Sequence, residues 1–440
     1  MTAAVSSDIR VTDRQRAMAV FASCFGWSLD LFDLFILLYV APIVGKLFFP
    51  SDYPTLSLAA VYASFAVTLL MRPVGSAIFG NYADKHGRKS AMFVAVSGVG
   101  VVTAMFGALP TIAQVGLMAP VLFLILRLVQ GIFVGGVVAT THTVGTESVP
   151  AHWRGAVSGL VGGGGAGLGA LLASFAFWAT SAMFPGAEFD VWGWRAMFFS
   201  GILSSVLGLV ILKYLEESPI WLKSKAQKEA SAKTAAAAPV SPVKSLFADY
   251  RKVLLVNLLI TGGAGSAYYV TSGYLPAFLK VVNQIPNASA SKILMGAALV
   301  STIAGPFIGF ISDRVGRRPT FLVIGILSAI LLPIMYLKMA ATQDISMIAF
   351  YALVIAFLGN AVLAPVPIFL NERFPTALRA SGTGLSWNIG FALGGMMPTF
   401  VSLLSGHTAN IPLTLAIFCV GSALVLIVGA LAAGETKGNM

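Results

Sequence analysis

Hydrophobic positions along this chain come in long unbroken stretches, separated by short segments that carry most of the charge. A helix needs about 20 apolar residues to cross the hydrocarbon of a bilayer. Windows of that length predict twelve spans, at roughly 17–44, 57–80, 90–109, 119–146, 155–182, 196–215, 252–279, 291–312, 320–339, 346–370, 380–405 and 412–433. Several exceed the minimum, which implies tilt or extension into the headgroups. The first stretch is too long for a signal peptide and carries two aspartates, so it is expected to be retained. The predicted fold class is an all-α membrane protein.

Composition strengthens this reading. Hydrophobic residues make up 57% of the chain and charged ones 10%, against about 25% charged in soluble domains. The net charge of +11 would suggest nucleic acid for a soluble protein, but its distribution says otherwise. About 21 of the 28 Lys and Arg fall on one side of the predicted topology. That pattern puts both termini in the cytoplasm and attributes the basic excess to topology and anionic headgroups, not to nucleic acid. Cys24 and Cys419 fall within predicted helices and read as small packing residues. Residues 287–289 form an Asn-Ala-Ser sequon by pattern alone.

The spans divide six and six. The predicted units are an N-terminal segment 1–16, a bundle 17–215, a polar linker 216–251, a second bundle 252–433 and a tail 434–440. The linker is lysine-rich, with room for one interfacial helix. The bundles repeat each other. Gly80, Asp84, Lys85, Gly87, Arg88 and Lys89 between spans 2 and 3 match Gly309, Asp313, Arg314, Gly316, Arg317 and Arg318 between spans 8 and 9, at identical spacing. Glu147, Pro150, Arg154 and Gly159 match Glu372, Pro375, Arg379 and Gly384. Both matches fall at nearly one offset, which indicates internal duplication. Parallel six-helix repeats with a midplane site between them are the architecture of major facilitator transporters. In the loop motif, glycine permits turning and close approach. Each aspartate is placed to pair with an arginine from an adjoining segment, with Arg154 and Arg379 as candidates. Such pairs would latch the cytoplasmic face and break as the halves rock.

Of 17 acidic residues, only Asp30 and Asp33 lie deep in a predicted span; among basic residues, only Arg72 and Arg127 do. Ionisable groups at membrane depth are costly and functional by default. Asp30 and Asp33 share overlapping faces of span 1. Two such carboxylates cannot both ionise cheaply, which makes them a proton-carrying pair, or leaves one of them a structural counter-ion to an arginine. Arg72 and Arg127 offer planar guanidinium forks to a carboxylate, either a substrate's or that of Asp30 or Asp33. The second half offers Asn257, Tyr268, Tyr269, Tyr274, Asn360, Trp387 and Asn388 to close over a bound anion. His142, at the end of span 4, is a proton relay or a packed polar residue. The glycines between 162 and 169 give span 5 a close-packing surface.

Several stretches carry a closer likeness: Phe48-Phe-Pro-Ser, Leu70-Met-Arg72-Pro73-Val-Gly75, the 79–89 loop, Arg127-Leu-Val-Gln130-Gly131, Gly193-Trp194-Arg195, Glu217-Ser-Pro219, the 309–319 loop, Phe374-Pro375 and Ser386-Trp387-Asn388. Together they resemble the metabolite:proton symporters, with the sialate and lactate symporters as near relatives. The resemblance implies that Asp30-Leu-Phe-Asp33 stands where that family has Glu-aromatic-aromatic-Asp. It also implies that Arg72 binds the substrate carboxylate, that Arg127 is the family's helix-4 arginine, and that Gln130 belongs to the same site. The chain departs from the pattern at Val137, where the family usually has Glu, so the cavity loses one acid.

The function expected from the sequence is secondary active transport: proton-coupled uptake of a small organic acid anion by alternating access. The partners are that anion, protons and the lipid bilayer of a plasma membrane, here the bacterial inner membrane. No cofactor beyond the proton is expected, and the protein is expected to be a monomer. Export by proton exchange and a non-transporting sensor are the alternatives. No metal-ligand cluster, phosphate loop or nucleophile–base set suggests an enzyme.

Overall fold

The computed structural model describes residues 12–86, 88–147, 149, 153–214 and 242–437. Among the described residues twelve helices are long and apolar enough to cross a membrane: α1 (Asp13–Phe48), α2 (Pro54–Phe79), α3 (Lys89–Ala108), α4 (Met118–Val137), α5 (Ala156–Met183), α6 (Phe189–Val210), α7 (Arg251–Val281), α8 (Asn287–Val315), α9 (Arg317–Ala341), α10 (Ile345–Glu372), α11 (Gly382–Ser405) and α12 (Thr408–Ala432). No strand occurs among the described residues. All twelve predicted windows fall on these helices. The largest shift of a helix start is at α6, which begins seven residues before its window with a π turn at Phe189–Gly193. Asp190 and Arg195 lower the hydropathy there and hide that turn.

Helix ends follow local chemistry. Thr12 starts α1 with a capping box, its hydroxyl accepting from the Gln15 amide. Helix α2 continues past its apolar span to His86, α4 to Glu147, and α11 begins at Thr376. The short helix Pro242–Asp249 buries Leu246 against Leu254 and Phe374 and leaves Phe247 exposed. This helix lies within the segment read as the linker; residues 215–241 lie outside the described residues.

The packing repeats as the sequence does. In the first half α2 packs on α4, α3 on α6 and α1 on α5; in the second, α8 on α10, α9 on α12 and α7 on α11. The halves meet along α5 against α8 and along α2 against α11, and these two seams are themselves equivalents under the repeat. Burial separates the central helices from the peripheral ones. The apolar windows of α1 and α10 are each 83% buried, that of α9 39%. Peripheral side chains such as Leu299, Ile303, Ile417 and Leu424 are exposed, and lipid covers such a surface at no cost.

Two central helices of the second half are irregular where they face the first. In α7 the regular helix gives way to a π turn at Tyr269–Gly273. In α10 it stops at Ala361 and resumes at Val366. The two interruptions touch, because a side chain at Gly359 would collide with the Thr271 hydroxyl. Irregular backbone at membrane depth is tolerated where protein buries it.

Candidate substrate and proton site

Asp30 and Arg72 face each other near the middle of α1 and α2. The Arg72 Nη2 and Asp30 Oδ2 atoms are 3.8 Å apart, an ion pair too long for a hydrogen bond. Asp30 is 3% exposed, Arg72 7% and Asp33 2%. Both oxygens of each aspartate and the Arg72 Nε lack hydrogen-bond partners among the described residues. A buried charge without partners is expensive, so this is a cluster of unmet bonding capacity, not a finished salt bridge.

Aromatic residues from both halves enclose it. Tyr268 and Tyr269 of α7 lie within electrostatic reach of Asp30 and Arg72. Tyr268 sits edge-on to Phe35 of α1 at 6.4 Å, and Tyr269 packs on Phe65 of α2 at 5.5 Å. The buried Tyr268 hydroxyl has no hydrogen-bond partner among the described residues. Tyr274 stacks on Tyr62 at 5.3 Å and shares a 2.9 Å hydrogen bond with Ser402. On α1, one turn toward the face bearing the termini, Trp27 meets Trp387 edge-on at 5.5 Å; Trp387 in turn stacks on Phe391 at 3.9 Å. The acid–arginine pair is thus closed over by inter-half aromatic contacts on two sides.

The structure places the remaining predicted contacts differently. The Arg127 guanidinium donates to Gln130 at 2.6 Å and lies 4.3 Å from the Phe106 ring centre and 5.0 Å from that of Phe123. Gln130 donates to Thr103 at 2.9 Å. Every one of these partners belongs to the first half. Arg127 and Gln130 therefore occupy its interior rather than the interface, because the small Thr103 and the flat phenyl rings of α3 and α4 leave room there for a guanidinium. Asn360 donates to Ser272 and Ser301 inside the second half, and Asn388 to the Gly384 carbonyl on its own helix; the side-chain oxygens of both asparagines lack hydrogen-bond partners among the described residues.

The loop motif of the second half forms a compact network. Arg317 holds Asp313 at 2.7 Å and both oxygens of Glu372, at 3.1 and 3.3 Å. The partner of Asp313 is thus Arg317 from its own motif, four residues on, where helical spacing brings the two together. The proposed partner Arg379 has a side chain outside the described residues, as do Arg154, Asp84, Arg88 and His142. Gly87 lies outside them as well, and Gly80 lies on the continuation of α2 to His86. Gly316 has φ +112°, and a side chain there would press on the Glu435 carboxylate 2.6 Å away. That carboxylate accepts the backbone amides of Arg317 at 2.9 Å and Arg318 at 3.1 Å, capping α9. Burial works against its ionisation, but bonds from the amides of Arg317, Lys437, Arg318 and Thr436 prevail and hold it below the usual glutamate range. Thr436 donates to Glu372 at 2.7 Å, and Lys437 to the Arg314 carbonyl at 2.8 Å.

Sequence reasoning missed Trp27, Phe35, Tyr62, Phe65, Phe391 and Glu435. A signal for two of them was available: Phe65 and Tyr62 precede Arg72 by two and nearly three helical turns, and so share its face.

Comparison with known proteins fits this architecture. The family model described as Major Facilitator Superfamily matches residues 16–397 and 264–439. An inner membrane metabolite transport protein of Escherichia coli is 27% identical, covering 88% of this chain and 87% of its own. The proline/betaine transporter of E. coli is 26% identical over 95% and 84%. A glycine betaine/proline/ectoine/pipecolic acid transporter of Dickeya dadantii is 27% identical over 92% and 81%. Among solved structures, the E. coli xylose transporter in a partially occluded inward-open conformation superposes with a TM-score of 0.71, at 18% identity, over 97% of this chain and 99% of that one. A D-xylose–proton symporter gives 0.70 at 19% identity, over 96% and 99%. Twelve apolar helices and bacterial transporter relatives make this a multi-pass inner-membrane transport protein and not an enzyme. The chain belongs to the major facilitator superfamily of secondary transporters.

Proposed function

We propose that this protein is a proton-coupled symporter that takes up a small organic anion bearing one carboxylate, with both termini in the cytoplasm. The observation that carries the reading is the buried Asp30–Arg72 pair, 3.8 Å apart with unmet hydrogen bonds, where the two halves meet. A substrate carboxylate is a better partner for the Arg72 fork than this distant aspartate. Asp30, displaced, then needs a proton or another cation. Asp33, buried without a donor, is the second proton-bearing group. Loading the site with anion and proton together leaves it close to neutral, and the halves can then close and rock without dragging a net charge through a dry centre. Since Arg127 lies inside the first half, one fixed cation serves the site, which favours a monocarboxylate. The protein works as a monomer and needs no cofactor.

A second reading has its own support. Asp30, with Phe35, Phe65, Tyr268 and Tyr269 around it, could accept a substrate cation in place of a proton, as aromatic faces hold quaternary ammonium groups. Two relatives carry betaine and proline in their names. A zwitterion would then span Arg72 and Asp30.

Uptake into proteoliposomes with an interior pH dye tests both. Acidification with monocarboxylates, abolished by Arg72→Ala and by Asp33→Asn, is the expected result. Acidification with betaines or imino acids alone selects the second reading. Intact pH-driven accumulation in Asp33→Asn would falsify proton carriage by that residue. Reversal of the imposed gradient separates uptake from export.

A further inference from the structure

The stripe of α2 that ends at Arg72 continues away from it toward the face opposite the termini. Phe65, Tyr62 and Thr55 follow along it, with Tyr53 just before the helix, and each meets the second half. Phe65 meets Tyr269 and Tyr62 meets Tyr274. Beyond them Thr55, 1% exposed, donates its hydroxyl to the Gly406 carbonyl at 2.9 Å. At the surface Tyr53 stands edge-on to His407 at 6.2 Å. At about 1.5 Å per residue, Thr55 lies roughly 25 Å along the helix from Arg72.

The receiving turn is shaped for this contact. Gly406 ends α11 with φ +63° and open space where a side chain would be. In this γ-turn the His407 amide donates to the Ser405 carbonyl at 2.6 Å, which leaves the Gly406 carbonyl to accept from Thr55, and the Asn410 side chain fastens the turn by donating to the same Ser405 carbonyl at 3.0 Å. Thr55 and Gly406 belong to opposite halves, so the bond cannot survive a separation of α2 from α11 at this face.

We propose that Tyr53 and Thr55 on one half, with Gly406 and His407 on the other, form an outer clasp that holds the entrance opposite the termini shut. The clasp rests on the proposed orientation and alternating access, but acts far from the substrate pair. It closes a column of aromatic contacts, so the outer path opens from its surface end inward. Loss of the Thr55 hydroxyl removes one neutral hydrogen bond from the closed state alone. That shifts the outward-open population by about fivefold.

The test uses the full chain in membrane vesicles, with Cys24→Ser and Cys419→Ser as background and Ser402→Cys as a reporter beneath the clasp. A membrane-impermeant maleimide is added from outside. Thr55→Val should raise the labelling rate about fivefold, and Thr55→Ser, which keeps the hydroxyl, should match the parent. Equal rates in all three overturn the clasp. As an independent measurement, Tyr53→Cys with His407→Cys is oxidised to a cross-link. Uptake of a transported solute should stop and return on reduction; undiminished uptake in the cross-linked form overturns the proposal. Single Tyr53→Cys labelling from outside checks orientation by itself, so an inverted topology is recognised separately. Proton coupling plays no part in the labelling result.

Discussion

Arg127 shows most sharply how a residue's type and its surroundings divide the argument. Its charge at membrane depth marks it as functional from sequence alone. Its direction is set by the phenyl rings of Phe106 and Phe123 and by the Gln130 amide, all inside the first half. Its Nε and Nη2 lack hydrogen-bond partners among the described residues. Gln130→Leu would remove the hydrogen bond that the guanidinium makes to the Gln130 side chain and would strand a buried donor. The expected loss is about 1–3 kcal/mol of stability, seen as a lowered melting temperature of the purified protein. If Gln130 does not touch substrate, KM stays within about twofold. A large rise in KM with unchanged melting would instead return Gln130 to the substrate site. Asp30, Asp33 and Arg72 were legible in the sequence because apolar surroundings make each charge conspicuous. The aromatic residues facing them were not, because in a chain with 30 phenylalanines only the face they occupy sets them apart.

Helices were the most legible level, since twelve apolar stretches leave little choice of element. What escaped were the joints, where a side chain far along the chain decides the local structure. The start of α9 is one. Its loop motif reads as a latch from spacing alone, yet the cap is Glu435, well over a hundred residues away, accepting the amides of Arg317 and Arg318. Glu435 is held below its ordinary pKa in the fold, so its contribution is complete at neutral pH. It is lost as pH falls through the lowered value, below the usual glutamate range of about 4.3. Glu435→Gln should therefore lower the melting temperature at pH 7, and the gap to the parent should narrow in acid. Melting curves across pH check this; a gap that widens in acid would contradict the sign. Gly316→Ala should be costlier, because its positive φ and the adjacent carboxylate both resist a side chain.

At the scale of the whole molecule, the repeat builds two unlike seams from equivalent helices. The face of α2 that meets α7 and α11 carries aromatic rings and a hydrogen bond, contacts that can be made and broken one at a time. The α5–α8 seam is nearly bare backbone: a side chain on Gly159 would meet the Gly305 carbonyl at 2.5 Å, and one on Gly163 the Gly305 Cα at 2.7 Å. Bare backbones pack closely and have no side chains to re-sort when the halves tilt, which suits a seam that stays together through the cycle. Gly163→Val tests that idea. The valine has no far end that can swing aside, because the nearest atom is backbone, and overpacking of this kind costs about 1–3 kcal/mol. If the seam persists in both end states, that cost is borne equally by each. The melting temperature should then fall, while labelling from outside at Ser402→Cys stays at the parent rate. If the seam parts during the cycle, the strain weighs on the joined state alone, and the labelling rate shifts by the matching factor of about 5–150.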